Sequence, residues 1–253
     1  MKILGVIPAR YASSRFPGKP LVVINGKTMI RRVYEQAVQC SMLTKVVVAT
    51  DNETIFNHVR LFDGNVLMTR GNHTSGTERC AEVLDKLVKA GEEYDFLINI
   101  QGDEPFIDPA QISQVAACFS NPDTRLATLI KKISQQDELS SPNVVKVVVD
   151  KQGHALLFSR AAIPYFRGKE PEEWLSAATY YKHIGIYGYS SSVLKKIVEL
   201  PVSGLEQTES LEQLRWLDNG FRIQTQITEY EGVAIDTPAD LLKITNSTET
   251  FHQ

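Results

Sequence analysis

Short runs rich in β-branched residues alternate with longer amphipathic stretches through the first 130 residues, and few folds accept that rhythm. Strands are expected at Ile3–Pro8, Lys45–Ala49, Asn65–Met68, Phe96–Ile100 and Leu126–Ile130. Helices are expected at Thr28–Cys40, Glu53–Leu61, Gly76–Ala90 and Pro109–Phe119. This order implies βαβ units and a mostly parallel sheet flanked by helices. The second half reads differently. Val144–Val149 and Ala155–Ser159 flank Asp150-Lys151-Gln152-Gly153, a hairpin turn, and His183–Tyr189 is a further strand. Glu206–Asn219 reads as one helix with Leu211, Leu214 and Leu217 on its apolar side. The expected class is α/β, one domain over 1–253 with an antiparallel insertion around 131–190.

Charge limits the partners. With 27 Lys+Arg against 30 Asp+Glu, the net charge is 27 − 30 = −3, which offers no general attraction for nucleic acid or an anionic membrane. No apolar run approaches the roughly 20 residues of a membrane span, and Met1 to Pro8 lacks the stages of a signal peptide. Cys40, Cys80 and Cys118 form no CxxC or Cys/His pattern, so reduced thiols and a cytoplasmic location are expected.

A polyanionic ligand would need a local cluster of cations, and the first strand runs into one. In Ile7-Pro8-Ala9-Arg10-Tyr11-Ala12-Ser13-Ser14-Arg15-Phe16-Pro17-Gly18-Lys19, three cations are interleaved with small, Pro and Gly residues. In a parallel sheet this loop lies at a carboxyl end, where ligands bind. Guanidinium forks suit phosphate oxygens and a Lys suits the region between two phosphates. A solvated basic loop would carry the same charges. Gly26-Lys27-Thr28 mimics the end of a Walker A loop, but position 21 is Leu where Gly is required, and GxGxxG does not follow the first strand.

Two carboxylates have the chemistry of metal ligands. Asp103 follows the strand ending Asn99-Ile100-Gln101-Gly102, and Asp236 precedes Thr237-Pro238. Two Asp suffice for Mg²⁺ when nucleotide oxygens and waters complete the octahedron. Each has a plainer reading: Asp103 as a turn former, Asp236 as a helix cap. His58, His73, His154 and His252 show no partner spacing, and Trp174 and Trp216 read as packing residues.

Together with SGTER at Ser75–Arg79, PNVVKVV at Pro142–Val148, FSRAAIPY at Phe158–Tyr165, KHIGIYGY at Lys182–Tyr189 and LEQLR at Leu211–Arg215, these segments resemble the 3-deoxy-manno-octulosonate (Kdo) cytidylyltransferase family. The resemblance implies a nucleotidyltransferase fold, with 1–130 mainly binding nucleotide and 131–253 mainly serving sugar binding and dimerisation. It implies a Mg²⁺-dependent enzyme joining CTP and Kdo into CMP-Kdo and pyrophosphate, for lipopolysaccharide synthesis. The nucleotide would be held by Ala9, Arg10, Arg15, Lys19, Ser75, Thr77, Arg79 and Gln101, and the metal by Asp103 and Asp236. The sugar would be held by Gln101, Arg160, His183, Tyr187, Glu212 and Gln213. CTP and Kdo are the expected partners, in a homodimer without nucleic acid or membrane. A cytidylyltransferase for sialic acid or amino-Kdo, and a non-catalytic nucleotide-sugar binding protein, are the alternatives.

Overall fold

Ile3, Leu4, Val6 and Ile7 are all fully buried in β1 (Ile3–Ala9), which is why that stretch reads as a continuous apolar run rather than an alternating one. The computed structural model describes residues 1–12, 16–232, 234–235 and 237–241. The chain divides into two compact units, Met1–Ser113 with Gly232–Gln253, and Gln114–Glu231.

In the first unit a small hairpin, β2 (Val23–Ile24) and β3 (Lys27–Thr28), follows β1 and turns through Asn25 and Gly26 at φ 47° and 77°. Then come α1 (Met29–Ala37), β4 (Lys45–Thr50), α2 (Glu53–Arg60), β5 (Val66–Met68), α3 (Gly76–Lys89) and β6 (Phe96–Asn99). The strands stand in the order β6-β1-β4-β5, all parallel. Helix starts are set by side chains: Asn52 accepts from the Ile55 N–H at 3.1 Å to begin α2, and Ser75 accepts from the Glu78 N–H at 3.2 Å to begin α3. Expected and observed elements agree here to within a few residues. α4 (Pro109–Ala117) then carries the chain into the second unit, followed by a 3₁₀ turn at Cys118–Ser120.

The second unit contains β7 (Leu126–Lys132), α5 (Gln136–Ser140), β8 (Lys146–Val149), β9 (Ala155–Ser159), α6 (Trp174–Ala177), β10 (Tyr181–Ser190), α7 (Ser191–Ile197), α8 (Gly204–Glu209), α9 (Glu212–Asp218) and β11 (Gln224–Ile227). β10 is antiparallel to β7 and to β8, β8 is antiparallel to β9, and β11 is parallel to β7. The expected hairpin turn forms: Gly153 takes φ +80°, and the Asp150 carboxylate accepts from the Gln152 and His154 N–H groups, both at 2.8 Å. Among the described residues no helix is long and apolar enough to cross a membrane.

The single helix expected over Glu206–Asn219 is a correction. It breaks at Ser210, which adopts a left-handed conformation at φ 53°. The break has a visible cause. The Glu209 carboxylate accepts from Ser159 Oγ at 2.6 Å and from the Arg160 N–H at 2.9 Å, while Arg160 Nε donates to the Glu209 carbonyl at 2.7 Å. The last turn of α8 is therefore held by β9 and cannot run on into α9.

Lys146 anchors the same region. Fully buried, it donates from Nζ to the carbonyls of Ser141 (2.7 Å), Val144 (2.7 Å) and Arg160 (2.6 Å). Burial, then the nearby Arg160 charge, lowers its pKa. Lys146→Met removes the ammonium from three carbonyls, of which, among the described residues, only that of Ser141 keeps another donor, the Val144 N–H at 3.3 Å, and should cost at least about 2 kcal/mol in urea unfolding. A loss below about 0.5 kcal/mol, the range of ordinary surface changes, would contradict this anchoring role.

Candidate active site at the carboxyl rim of β1 and β6

The chain leaves β1 through Pro8, Ala9 and Arg10, and leaves β6 through Gln101, Gly102 and Asp103; these line one cleft together with Lys19, Pro20, His73, Thr74, Ser75, Gly76 and Arg79. Carboxyl ends of neighbouring parallel strands are where open α/β sheets bind ligands. Gly102 is needed for the two rims to meet: a Cβ there would sit 2.6 Å from the Pro8 carbonyl oxygen. The third wall is the start of α3, 14 residues long, whose first N–H groups and dipole favour an anion.

Lys19 and Asp103 face each other across the cleft, Nζ to Oδ2 at 2.8 Å. Lys19 is carried by a 3₁₀ turn at Lys19–Leu21, preceded by Gly18 at φ +71°. Arg10 is exposed. Arg79 is only 4% exposed, and its guanidinium is committed to Thr69 Oγ1 and to Asp51 Oδ2 at 3.1 Å. Thr77 is buried and does not line the cleft. Gln101 is half-buried on the same rim as Asp103.

Behind the rim, burial, then the neighbouring Asp103 charge, pushes Glu104 up to about 7, and any side chain at Gly232 would collide with its carboxylate. The Ile235 N–H donates to the Asp103 carbonyl at 3.0 Å, and Ile235 packs in a core cluster with Ile24 and Met29. Ile235, next in sequence to the second expected carboxylate, is thus tied to the residue that carries the first. Asp236 itself lies outside the described residues, as do Arg15 and His252. Among the described residues no three His, Cys, Asp or Glu side chains are grouped to hold a metal.

Three histidines assigned no partner from spacing all have one. His58 contacts Thr28 Oγ1 at 2.7 Å and His154 contacts Asp150 Oδ2 at 3.1 Å. His73 lines the cleft and sits between Glu82 and Glu78, its Nε2 bonded to Glu82 and its Nδ1 3.6 Å from Glu78. The signal was present as i and i+4 acids on the first turns of α3, but a loop histidine meets a helix only in three dimensions. Burial alone would raise the Glu82 pKa; hydrogen bonds from Lys86, the Arg70 N–H and His73 overcome it and bring it to about 2.

The expected sugar residues other than Gln101 all lie in the second unit. His183 and Tyr187 face the same way, with ring centroids 5.1 Å apart. They do so across a bulge, since the β10–β7 register shifts between Ile184 and Tyr187. Among the described residues the buried Tyr187 hydroxyl has no hydrogen-bond partner, and neither has the Trp216 Nε1, whose ring meets Tyr187 edge-on at 5.1 Å. Burial pushes His183 down to about 3 and Tyr187 well up, so both are neutral. Arg160 donates to the carbonyls of Glu209 (2.7 Å), Pro142 (3.0 Å) and Ser210 (3.5 Å). Gln213 is buried, and Glu212 lies 3.5 Å from Arg215. Glu206, Glu209 and Glu212 each have a named partner, Arg215 for the first as for the last and Ser159 for Glu209.

Two outcomes follow. Gly102→Ala should lower stability by about 1–3 kcal/mol, the usual cost of overpacking, because backbone must move; an unchanged melting temperature would show that the rims do not touch. Glu82 ionises more easily folded than unfolded, where its pKa is near 4.5. Its contribution is complete above about pH 4.5 and fades as pH falls toward 2. Glu82→Gln should flatten the stability curve in that window, measured by urea midpoints at stepped pH, and an unaltered slope would remove Glu82 from the acid response.

Residues 4–227 match the family described as Cytidylyltransferase. The chain is 53% identical over 247 residues to the 3-deoxy-manno-octulosonate cytidylyltransferase of Parabacteroides distasonis, with 96% of each covered. It is 51% identical over 244 residues to that of Bacteroides thetaiotaomicron, covering 95% of this chain and 96% of that one. Among solved structures, CMP:2-keto-3-deoxy-manno-octonic acid synthetase complexed with CTP superposes with a TM-score of 0.90 at 43% identity, over 99% of this chain and 100% of that one. Matched nearly end to end by relatives of this kind, the chain belongs to the 3-deoxy-manno-octulosonate cytidylyltransferase family.

Proposed function

We propose that the chain transfers the cytidylyl group of CTP to the anomeric hydroxyl of Kdo, releasing pyrophosphate and forming the activated sugar for lipopolysaccharide synthesis. The observation that carries this reading is the 2.8 Å Lys19–Asp103 pair in a cleft walled by the start of α3. It sets a phosphate-seeking cation beside a metal-seeking carboxylate. Arg10, Arg15 and Lys19, with the Ala9 backbone, hold the triphosphate. Ser75 and Arg79 line the nucleotide, and Thr77, buried in the same helical turn, supports them.

The donor set fits Mg²⁺. Asp103 is a hard, half-buried carboxylate at the cleft, and two such groups match an ion that takes its other ligands from nucleotide and water. Asp103 and Asp236 would hold it, and when bound it supplies charge neutralisation at the phosphates and acidity at the sugar hydroxyl. The sugar oxygen bonds to the α-phosphorus as the bond to the bridging oxygen breaks, and the hydroxyl proton is lost to solvent. Lys19 offsets the charge that grows on the departing pyrophosphate. Gln101, on the rim beside Asp103, orients the sugar. Arg160 supplies the positive charge for the sugar carboxylate; His183, Tyr187, Glu212 and Gln213 serve its hydroxyls. The working form is a cytoplasmic homodimer.

Pyrophosphate release with CTP, Kdo and Mg²⁺ is the test. Turnover should fall sharply when N-acetylneuraminate replaces Kdo or when ATP, GTP or UTP replaces CTP; faster turnover with N-acetylneuraminate would overturn the sugar assignment. Asp103→Asn and Lys19→Ala should each lower kcat by at least about 10²-fold with the fold intact by circular dichroism. Near-normal kcat in either would remove that residue from the chemistry.

A further inference from the structure

Thr128 is 0% exposed on β7, and its hydroxyl meets three groups at once: the Ile186 carbonyl at 2.7 Å, the Ile184 carbonyl at 3.2 Å and His183 Nε2 at 3.0 Å. A hydroxyl has one proton to give and two lone pairs to receive with, and a carbonyl can only receive. Were Thr128 to give its proton to the imidazole, both carbonyls would face its lone pairs. The proton therefore goes to the bulge carbonyls, nearest Ile186, and the contact with His183 is made by an N–H on the ring. The two carbonyls reach one hydroxyl because β10 bulges there, its register against β7 shifting between Ile184 and Tyr187.

We infer that Thr128 fixes His183 as the tautomer with its proton on Nε2, leaving Nδ1 as a hydrogen-bond acceptor for a hydroxyl of the bound sugar. Thr128 is thus a positioning residue, and this role rests on the sugar reading given above. The surroundings agree. Among the described residues Nδ1 has no partner and no carboxylate pairs with His183; its ring neighbours are Phe158, edge-on at 5.2 Å, and Tyr187, whose buried hydroxyl is also unpartnered. Burial keeps the ring neutral at physiological pH. His183 then contributes no charge to an acidic sugar and selects by geometry: a site built to pair with a hydroxyl penalises an analogue that lacks it.

The test uses the full-length protein labelled with ¹⁵N at histidine, with long-range proton–nitrogen correlation spectra reporting which ring nitrogen is protonated. Wild-type His183 should be neutral with the proton on Nε2 between pH 6 and 8. A proton on Nδ1, or on both nitrogens, overturns the assignment without any variant. Thr128→Val should abolish the single-tautomer signal and raise KM for Kdo about tenfold, with KM for CTP within about twofold. Thr128→Ser should restore both. The predicted spectrum combined with an unmoved KM for Kdo in Thr128→Val overturns the sugar-acceptor role alone. Absent turnover on Kdo in the wild type overturns the proposed function, and the spectrum still decides the tautomer.

Discussion

The contact between Lys19 and Asp103 joins two loops that are 84 residues apart in sequence and leave adjacent parallel strands. A partly exposed ion pair contributes no more than about 1 kcal/mol, so its importance is positional. It holds a cation and a carboxylate at hydrogen-bond distance, on a rim brought together by a glycine whose replacement would force backbone to move. On the proposed reading these two groups would meet the triphosphate oxygens and the divalent ion. The same rim is tied from behind by Ile235, whose N–H reaches the Asp103 carbonyl while its side chain packs on Ile24 and Met29. The site is thus built on strand ends and a small apolar cluster rather than on free loops.

The second unit solves a different problem. An acidic polyol needs a cation and a set of uncharged donors and acceptors. On the proposed sugar reading Arg160 would provide that charge; three backbone carbonyls fix its plane, and Lys146 ties Ser141 and Val144, which flank the Pro142 carbonyl. Tyr187 and Trp216 keep buried polar atoms without partners among the described residues. A buried donor left unmatched costs free energy, a cost that a hydroxylated ligand would offset on the proposed sugar reading.

Much of this was readable in the sequence, and for physical reasons. Buried parallel strands need β-branched runs, so β1, β4 and β6 appear plainly, as does the start of α3 at Gly76. Asp103 was identifiable because a Gly-Asp step after a buried strand falls at the sheet rim. The break at Ser210 was not readable, because helical periodicity continues through it; only the grip of Ser159 and Arg160 on Glu209 stops the helix. His73 and Thr128 were missed for a related reason. One depends on a loop folding onto α3, the other on a bulge that brings two carbonyls and a histidine to one hydroxyl. The acids Glu78 and Glu82 that receive His73 are visible four residues apart, but the loop's fold onto them is not, and the bulge at Thr128 leaves no mark in local spacing.

The claim on which all of this rests is that Asp103 binds a divalent cation together with the nucleotide. Titration of Mn²⁺ followed by electron paramagnetic resonance, with and without CTP and in the absence of sugar, tests it directly. One Mn²⁺ per chain should bind tightly only when CTP is present, and Asp103→Asn should weaken that binding at least about tenfold while the protein stays folded. Equal Mn²⁺ affinity in the two proteins would contradict the account.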